Sequence, residues 1–254
     1  MKTSSIGRVI GVLLFVQLVG LSLPFILMMP GVMTDYLNAA APMAAQIRIA
    51  VFLLFANAAV TLGIAIVAFP VFRDYSLRMA IWLLAISTVW LVMQSVDNAH
   101  ILSMLSLSQR YTDAAGANAD LYNILGAQVR STRVWVHYTE LLVIDVWFAL
   151  LYSTLLRFRF VSRLLGWFGL LAVVLHLIGI PLAMFISYPS IPWLGFSLAI
   201  SHLLIGGWLV AKGFPERYQG DRSQETGGGT GSSGGGGVPG FLFSEAPRPS
   251  ATLP

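Results

Sequence analysis

Residues 164–211 read LLGWFGLLAVVLHLIGIPLAMFISYPSIPWLGFSLAISHLLIGGWLVA, 48 residues without one Asp, Glu, Lys or Arg. A helix rises about 1.5 Å per residue, so roughly 20 apolar residues cross a hydrocarbon core of about 30 Å. The stretch is too long for one crossing, and Tyr188-Pro189-Ser190-Ile191-Pro192 supplies a turn that divides it into two. Working outward, residues 9–34, 49–72, 79–96 and 134–156 are four further runs long enough to span, only the last of them carrying acidic residues. In lipid the backbone must satisfy its own hydrogen bonds, which leaves helices or closed barrels. The runs are continuous rather than alternating and exceed a barrel strand of roughly 10 residues. The expected fold is therefore all-α: a polytopic membrane protein with six transmembrane helices.

Composition agrees. The chain is 57% hydrophobic and 10% charged, with a mean hydropathy of +0.78; a soluble domain carries about 25% charged residues. Cysteine is absent, which excludes disulfides, thiolate metal sites and cysteine nucleophiles. The net charge of +4 does not point to nucleic acid, because its distribution is that of a membrane protein. With the N-terminus inside, only Arg48, Arg110, Arg130 and Arg133 fall in outer segments; the other eleven of the fifteen Lys and Arg, including Arg157, Arg159 and Arg163, fall in inner ones. This positive-inside bias places both termini in the cytoplasm, and a bacterial inner (plasma) membrane is the expected location. The first apolar run exceeds the roughly 7–15 residues of a cleaved signal core and reads as an uncleaved span.

Two regions follow: a transmembrane domain over 1–213 and a Gly/Ser/Pro-rich cytoplasmic tail over 214–254, which is expected to be disordered because it has little to bury. The longest outer connection covers about 106–133. Within it Leu121, Ile124, Leu125 and Val129 fall at helical spacing after Asn118, so this segment either lies in the interface as a short amphipathic helix or extends the fourth span.

Leu155-Leu-Arg-Phe-Arg-Phe-Val-Ser-Arg-Leu-Leu-Gly-Trp-Phe-Gly169, leading into an apolar span, resembles the entry to the penultimate helices of an uncharacterised bacterial membrane family, domain of unknown function 4386. Val71-Phe-Arg73-Asp-Tyr-Ser-Leu-Arg-Met-Ala80 is similar to that family's second cytoplasmic turn. The resemblance covers roughly residues 8–213. It implies a multi-pass fold and assigns no reaction.

A charged side chain at mid-bilayer costs about 2.5–3.5 kcal/mol on insertion scales, so the few ionisable groups inside the spans are the candidates for function. Asp97 and His100 lie at the outer end of the third span, and His137 and Glu140 in the outer third of the fourth, each pair three residues apart. Two imidazoles and two carboxylates admit a proton-linked or ligand site, a zinc site, or a polar cluster paired with Arg130 and Arg133. Asp145 lies near the bilayer centre with no basic residue at its depth; Gln17, Asn57 and Ser201 are among the polar side chains it could bond. His176 and His202 lie at matching depths on the last two spans and could be axial ligands of a b-type haem.

No Walker loop, Rossmann fingerprint or paired-histidine zinc motif appears, and no catalytic residue is identified. The expected function is binding or proton-linked handling of a small molecule or lipid at an outward-facing polar pocket lined by Asp97, His100, His137 and Glu140. The alternatives are a haem electron-transfer cytochrome held by His176 and His202, or a structural subunit with partners in a membrane complex.

Overall fold

The computed structural model describes residues 2–33, 35–115, 117–186 and 191–216, with backbone alone at 191–193. Residues 187–190 of the expected hairpin turn, and the tail from 217 onward, lie outside the described residues. Residues up to Glu216 form one compact unit. Its elements are α1 (Thr3–Val32), α2 (Tyr36–Ala39), α3 (Ala44–Asp113), α4 (Ala119–Arg157), α5 (Arg163–Ile186) and α6 (Ile191–Lys212). Five of these helices are long and apolar enough to cross a membrane. Their outward sides carry large apolar residues such as Phe52, Trp82, Leu164 and Phe185, all highly exposed. Acyl chains cover such surfaces without any protein partner. The chain is an all-α multi-pass membrane protein.

With 70 residues, α3 would stretch about 105 Å if straight, far beyond one bilayer crossing. It is broken at Ser76, whose extended backbone (φ −162°, ψ 103°) separates the arms 44–75 and 77–113. The arms fold back on each other. Asn98 Nδ2 on the second donates to the Val51 carbonyl on the first at 3.2 Å, and Ile47, Ala50 and Leu54 pack with Ile101, Met104 and Leu105. The connection left between the apolar runs 49–72 and 79–96 thus reduces to one non-helical residue, and Pro70 sits inside the helix. Ser76 Oγ accepts the Met79 N–H at 3.4 Å and so begins the second arm as a cap. Ser76→Ala is expected to cost about 1 kcal/mol, the usual loss of an N-cap, read as a lowered melting temperature.

The long outer connection contracts in the same way. α3 continues to Asp113 and α4 begins at Ala119, so the segment carrying Leu121, Ile124 and Leu125 extends the fourth span. Asn118 occupies the N-cap position in a left-handed conformation (φ 58°), without a side-chain cap bond. The chain between α1 and α3 braces these extensions. Ser108 Oγ donates to the Leu37 carbonyl and accepts the Ala41 N–H, each at 2.8 Å. The Tyr36 hydroxyl donates to the Gly126 carbonyl at 2.9 Å. Burial pushes the Tyr36 phenol above its ordinary pKa, with Arg130 opposing.

α1, α3, α4, α5 and α6 each pack on their sequence neighbour, and α6 returns to α1 to close a ring. Lipid tails are as apolar as leucine, so helices in a bilayer associate through close packing rather than hydrophobic expulsion. The α1–α6 seam shows this. A Cβ on Gly11 would sit 2.7 Å from the Val210 backbone nitrogen, and one on Gly7 would collide with the Phe214 backbone. The start of α1 and the end of α6 therefore lie side by side. Phe160 stacks on Phe214 (4.3 Å) and on Phe72 (5.7 Å), which joins the Ser76 break, the α4–α5 turn and the end of α6 into one aromatic plug at that end of the ring.

Candidate functional site

The polar residues of the spans converge inside this ring. Arg133, His137 and Glu140 fall at i, i+4 and i+7 on α4, one helical face, and that face is turned toward the second arm of α3. Arg133 grips Asp97 with two contacts, Nε to Oδ1 at 3.2 Å and a terminal nitrogen to Oδ2 at 3.4 Å. Both residues are buried, Asp97 to 1% exposure and Arg133 to 6%. His137 Nδ1 lies 3.4 Å from Glu140 Oε2 and 3.9 Å from Asp97 Oδ2, with an aligned hydrogen bond to neither. The indole N–H of Trp90 donates to Glu140 Oε1 at 3.4 Å.

His100 stands apart. It is half-buried, and it lines no part of the cavity described below. A step of three residues turns a helix about 60° short of a full revolution, so Asp97 faces α4 while His100 rotates off that face.

A second histidine–carboxylate pair joins α4 to α5. His176 Nδ1 and Asp145 Oδ1 are 2.7 Å apart and buried, and Asp145 Oδ2 has no partner among the described residues. Sequence reasoning offers Gln17, Asn57 or Ser201 to Asp145; the structure supplies His176. Gln17 instead donates through Nε2 to Thr61 Oγ1 at 2.6 Å, and the Thr61 hydroxyl donates onward to the Asn57 carbonyl at 3.1 Å.

His202 is held at both ring nitrogens. Nε2 donates to the Leu14 carbonyl at 3.1 Å, so Nδ1 accepts from the Tyr152 hydroxyl, also at 3.1 Å. No lone pair of His202 is left for iron. The arrangement does not fit a haem ligated by His176 and His202.

These groups surround one cavity of about 350 Å³ between α1, α3, α4, α5 and α6. Gln17, Gln94, Asp97, His137, Glu140, His176 and His202 contribute its polar lining; Leu18, Leu21, Phe25, Leu141 and Leu198 are among its apolar walls. Small-molecule pockets occupy about 300–1,000 Å³ and combine apolar walls with a few convergent polar groups, as here. Gly195 lets α6 approach the His176 ring, since a Cβ there would already touch Cδ2 at 3.3 Å.

Chemically, the cavity offers two imidazoles, each beside a carboxylate, among largely apolar walls. His is the side chain whose proton is exchanged near neutral pH. Donor atoms of Asp97, His137 and Glu140 also lie within 4.8 Å of one another, the spacing of a metal-binding triad. Arg133, however, already occupies both Asp97 oxygens and brings a positive charge to the same place.

Sequence reasoning did not single out Trp90, nor pair Asp145 with His176. Matching depths, counted along α4 and α5, were the available signal for the second. Trp90 carries no such signal, because an indole in an apolar run reads as ordinary packing.

A family model described as a domain of unknown function (DUF4386) matches residues 9–213. No curated protein and no solved structure matches the chain.

Proposed function

The chain belongs to the domain of unknown function 4386 family, and we propose that it binds a small amphipathic molecule or lipid in the central cavity and couples that binding to a proton. One observation carries this reading: two histidine–carboxylate pairs, His137–Glu140 and His176–Asp145, place their imidazoles on a single cavity in a largely apolar bundle. Ionisable groups in a membrane are costly to keep and mark ligand or proton pathways. A cluster whose only task was to join helices would have its atoms paired, whereas His137 Nδ1 and Asp145 Oδ2 are buried without hydrogen-bond partners. An apolar wall facing a polar lining matches a ligand with a hydrophobic body and a polar head.

The orientation is part of the proposal. The aromatic plug lies at the end of the ring that carries Arg73, Arg78, Arg157 and Arg163. The positive-inside rule assigns that end to the cytoplasm. The His137–Glu140 side of the cavity then faces outward, across the plasma membrane of a bacterial-type cell.

The test uses the full chain in lipid nanodiscs and a panel of phenethylamine, phenylacetate and 2-phenylethanol. At least one is expected to raise the melting temperature, with an affinity that changes with pH. Replacing His137 and Glu140 together by leucine is expected to preserve insertion, because removing both members of a buried polar pair costs far less than removing one. It should also abolish the ligand-induced shift. A shift that survives the double replacement, or none with any member of the panel, removes the cavity as the site; the second result favours a structural subunit.

A further inference from the structure

We propose that the occupant of this cavity is an amine: a monovalent ammonium carried on a small apolar body. The inference rests on the binding role proposed above and names the ligand class. It begins from an unmet valence. Gln17 lines the cavity and is 2% exposed. Its Nε2 faces Thr61, whose own hydroxyl proton goes to the Asn57 carbonyl; Thr61 Oγ1 must therefore accept, which fixes the amide orientation. Gln17 Oε1 is thereby left buried and unpartnered. An amide oxygen is an acceptor, and a buried acceptor without a donor costs about 1–3 kcal/mol. For Gln17 the missing partner is a donor.

Charge points the same way. No Lys or Arg lines the cavity among the described residues, while Asp97 and Glu140 do. Arg133 is engaged with Asp97. Among the described residues Glu140 has the long Trp90 contact and His137, whose charge depends on a proton. A carboxylate or phosphate ligand would meet the Glu140 carboxylate with no Lys or Arg lining the cavity among the described residues. An ammonium placed at Glu140 would take over the charge of the His137 proton, which gives the proton coupling a mechanism. The aromatic lining from Phe25, Trp90 and Phe148 suits the same ligand, since ring faces attract cations. A divalent metal at Asp97, His137 and Glu140 is the competing occupant, opposed by the Arg133 guanidinium on the shared carboxylate.

The experiment uses the same nanodisc sample with phenethylamine, phenylacetate and 2-phenylethanol, three ligands of one shape and different charge, and zinc chloride as a fourth arm. Phenethylamine is expected to bind about tenfold or more tightly than the other two. Glu140→Gln should weaken it by about tenfold while leaving 2-phenylethanol unchanged. Gln17→Met, which keeps the volume and deletes Oε1, should also weaken it, and it decides the matter if Glu140→Gln fails to fold. Equal or tighter binding of the acid or alcohol overturns the amine and leaves the small-molecule reading standing. No binding by any organic ligand removes both. Zinc binding lost in Glu140→Gln, without an amine effect, reassigns the cluster to a metal and overturns the proposal.

Discussion

Arg133→Leu is expected to destabilise the bundle by about 3–5 kcal/mol, the cost of removing one partner from a buried ion pair. Asp97 would be left at 1% exposure without its guanidinium, its carboxylate 3.9 Å from His137 Nδ1. The loss should be read from equilibrium unfolding in mixed micelles. The control is the double variant Arg133→Leu with Asp97→Leu, which leaves no orphaned charge and should recover most of the loss, since apolar replacements of a whole buried pair are often neutral. A single variant as stable as the parent would mean that water reaches Asp97 freely.

Trp147→Ala is expected to cost about 3 kcal/mol or more. Trp147 is fully buried, donates to Ser87 Oγ at 2.8 Å, and packs against Trp90 with ring centroids 5.7 Å apart. In lipid the transfer part of the cost shrinks, but the lost contacts around an indole-sized void do not. The effect should reach the site, because Trp90 is the residue that bonds Glu140. Loosening Trp90 should weaken ligand binding as well as stability. Trp147→Phe, which retains most of the packing, should preserve both better. Equal loss of binding in the two variants would implicate the indole N–H to Ser87 rather than packing.

The polar residues show where sequence reading stops. Asp97, His137 and Glu140 meet as their spacing allows, and pairing of Asp97 with Arg133 was one of the readings open to them. His100, on the same helix as Asp97, does not join them. His176 and His202 share a depth, yet one bonds Asp145 and the other Tyr152 and Leu14. Depth follows from counting residues at 1.5 Å each. Which way a side chain faces depends on how the helix is rotated against its neighbours, and a rotation of about 60° is enough to separate Asp97 from His100. Connections are also poorly legible. Polar residues between the second and third runs and around 106–118 read as connections, but they are largely absorbed into helices because packing against the adjoining segments overrides weak local propensity; the extension of the fourth span after Asn118 was one of two readings open to that segment.

The amino-acid sequence by itself determined that this chain is helical and crosses a membrane repeatedly, because uninterrupted apolar runs of spanning length leave the backbone no other way to satisfy its hydrogen bonds in lipid. The same runs marked the few ionisable residues worth attention. Only the tertiary structure decided which of them share a cavity, which are already bonded and which atoms lack a partner. Those outcomes depend on helix rotation and on close approaches such as the glycine seam between α1 and α6, which no single segment encodes.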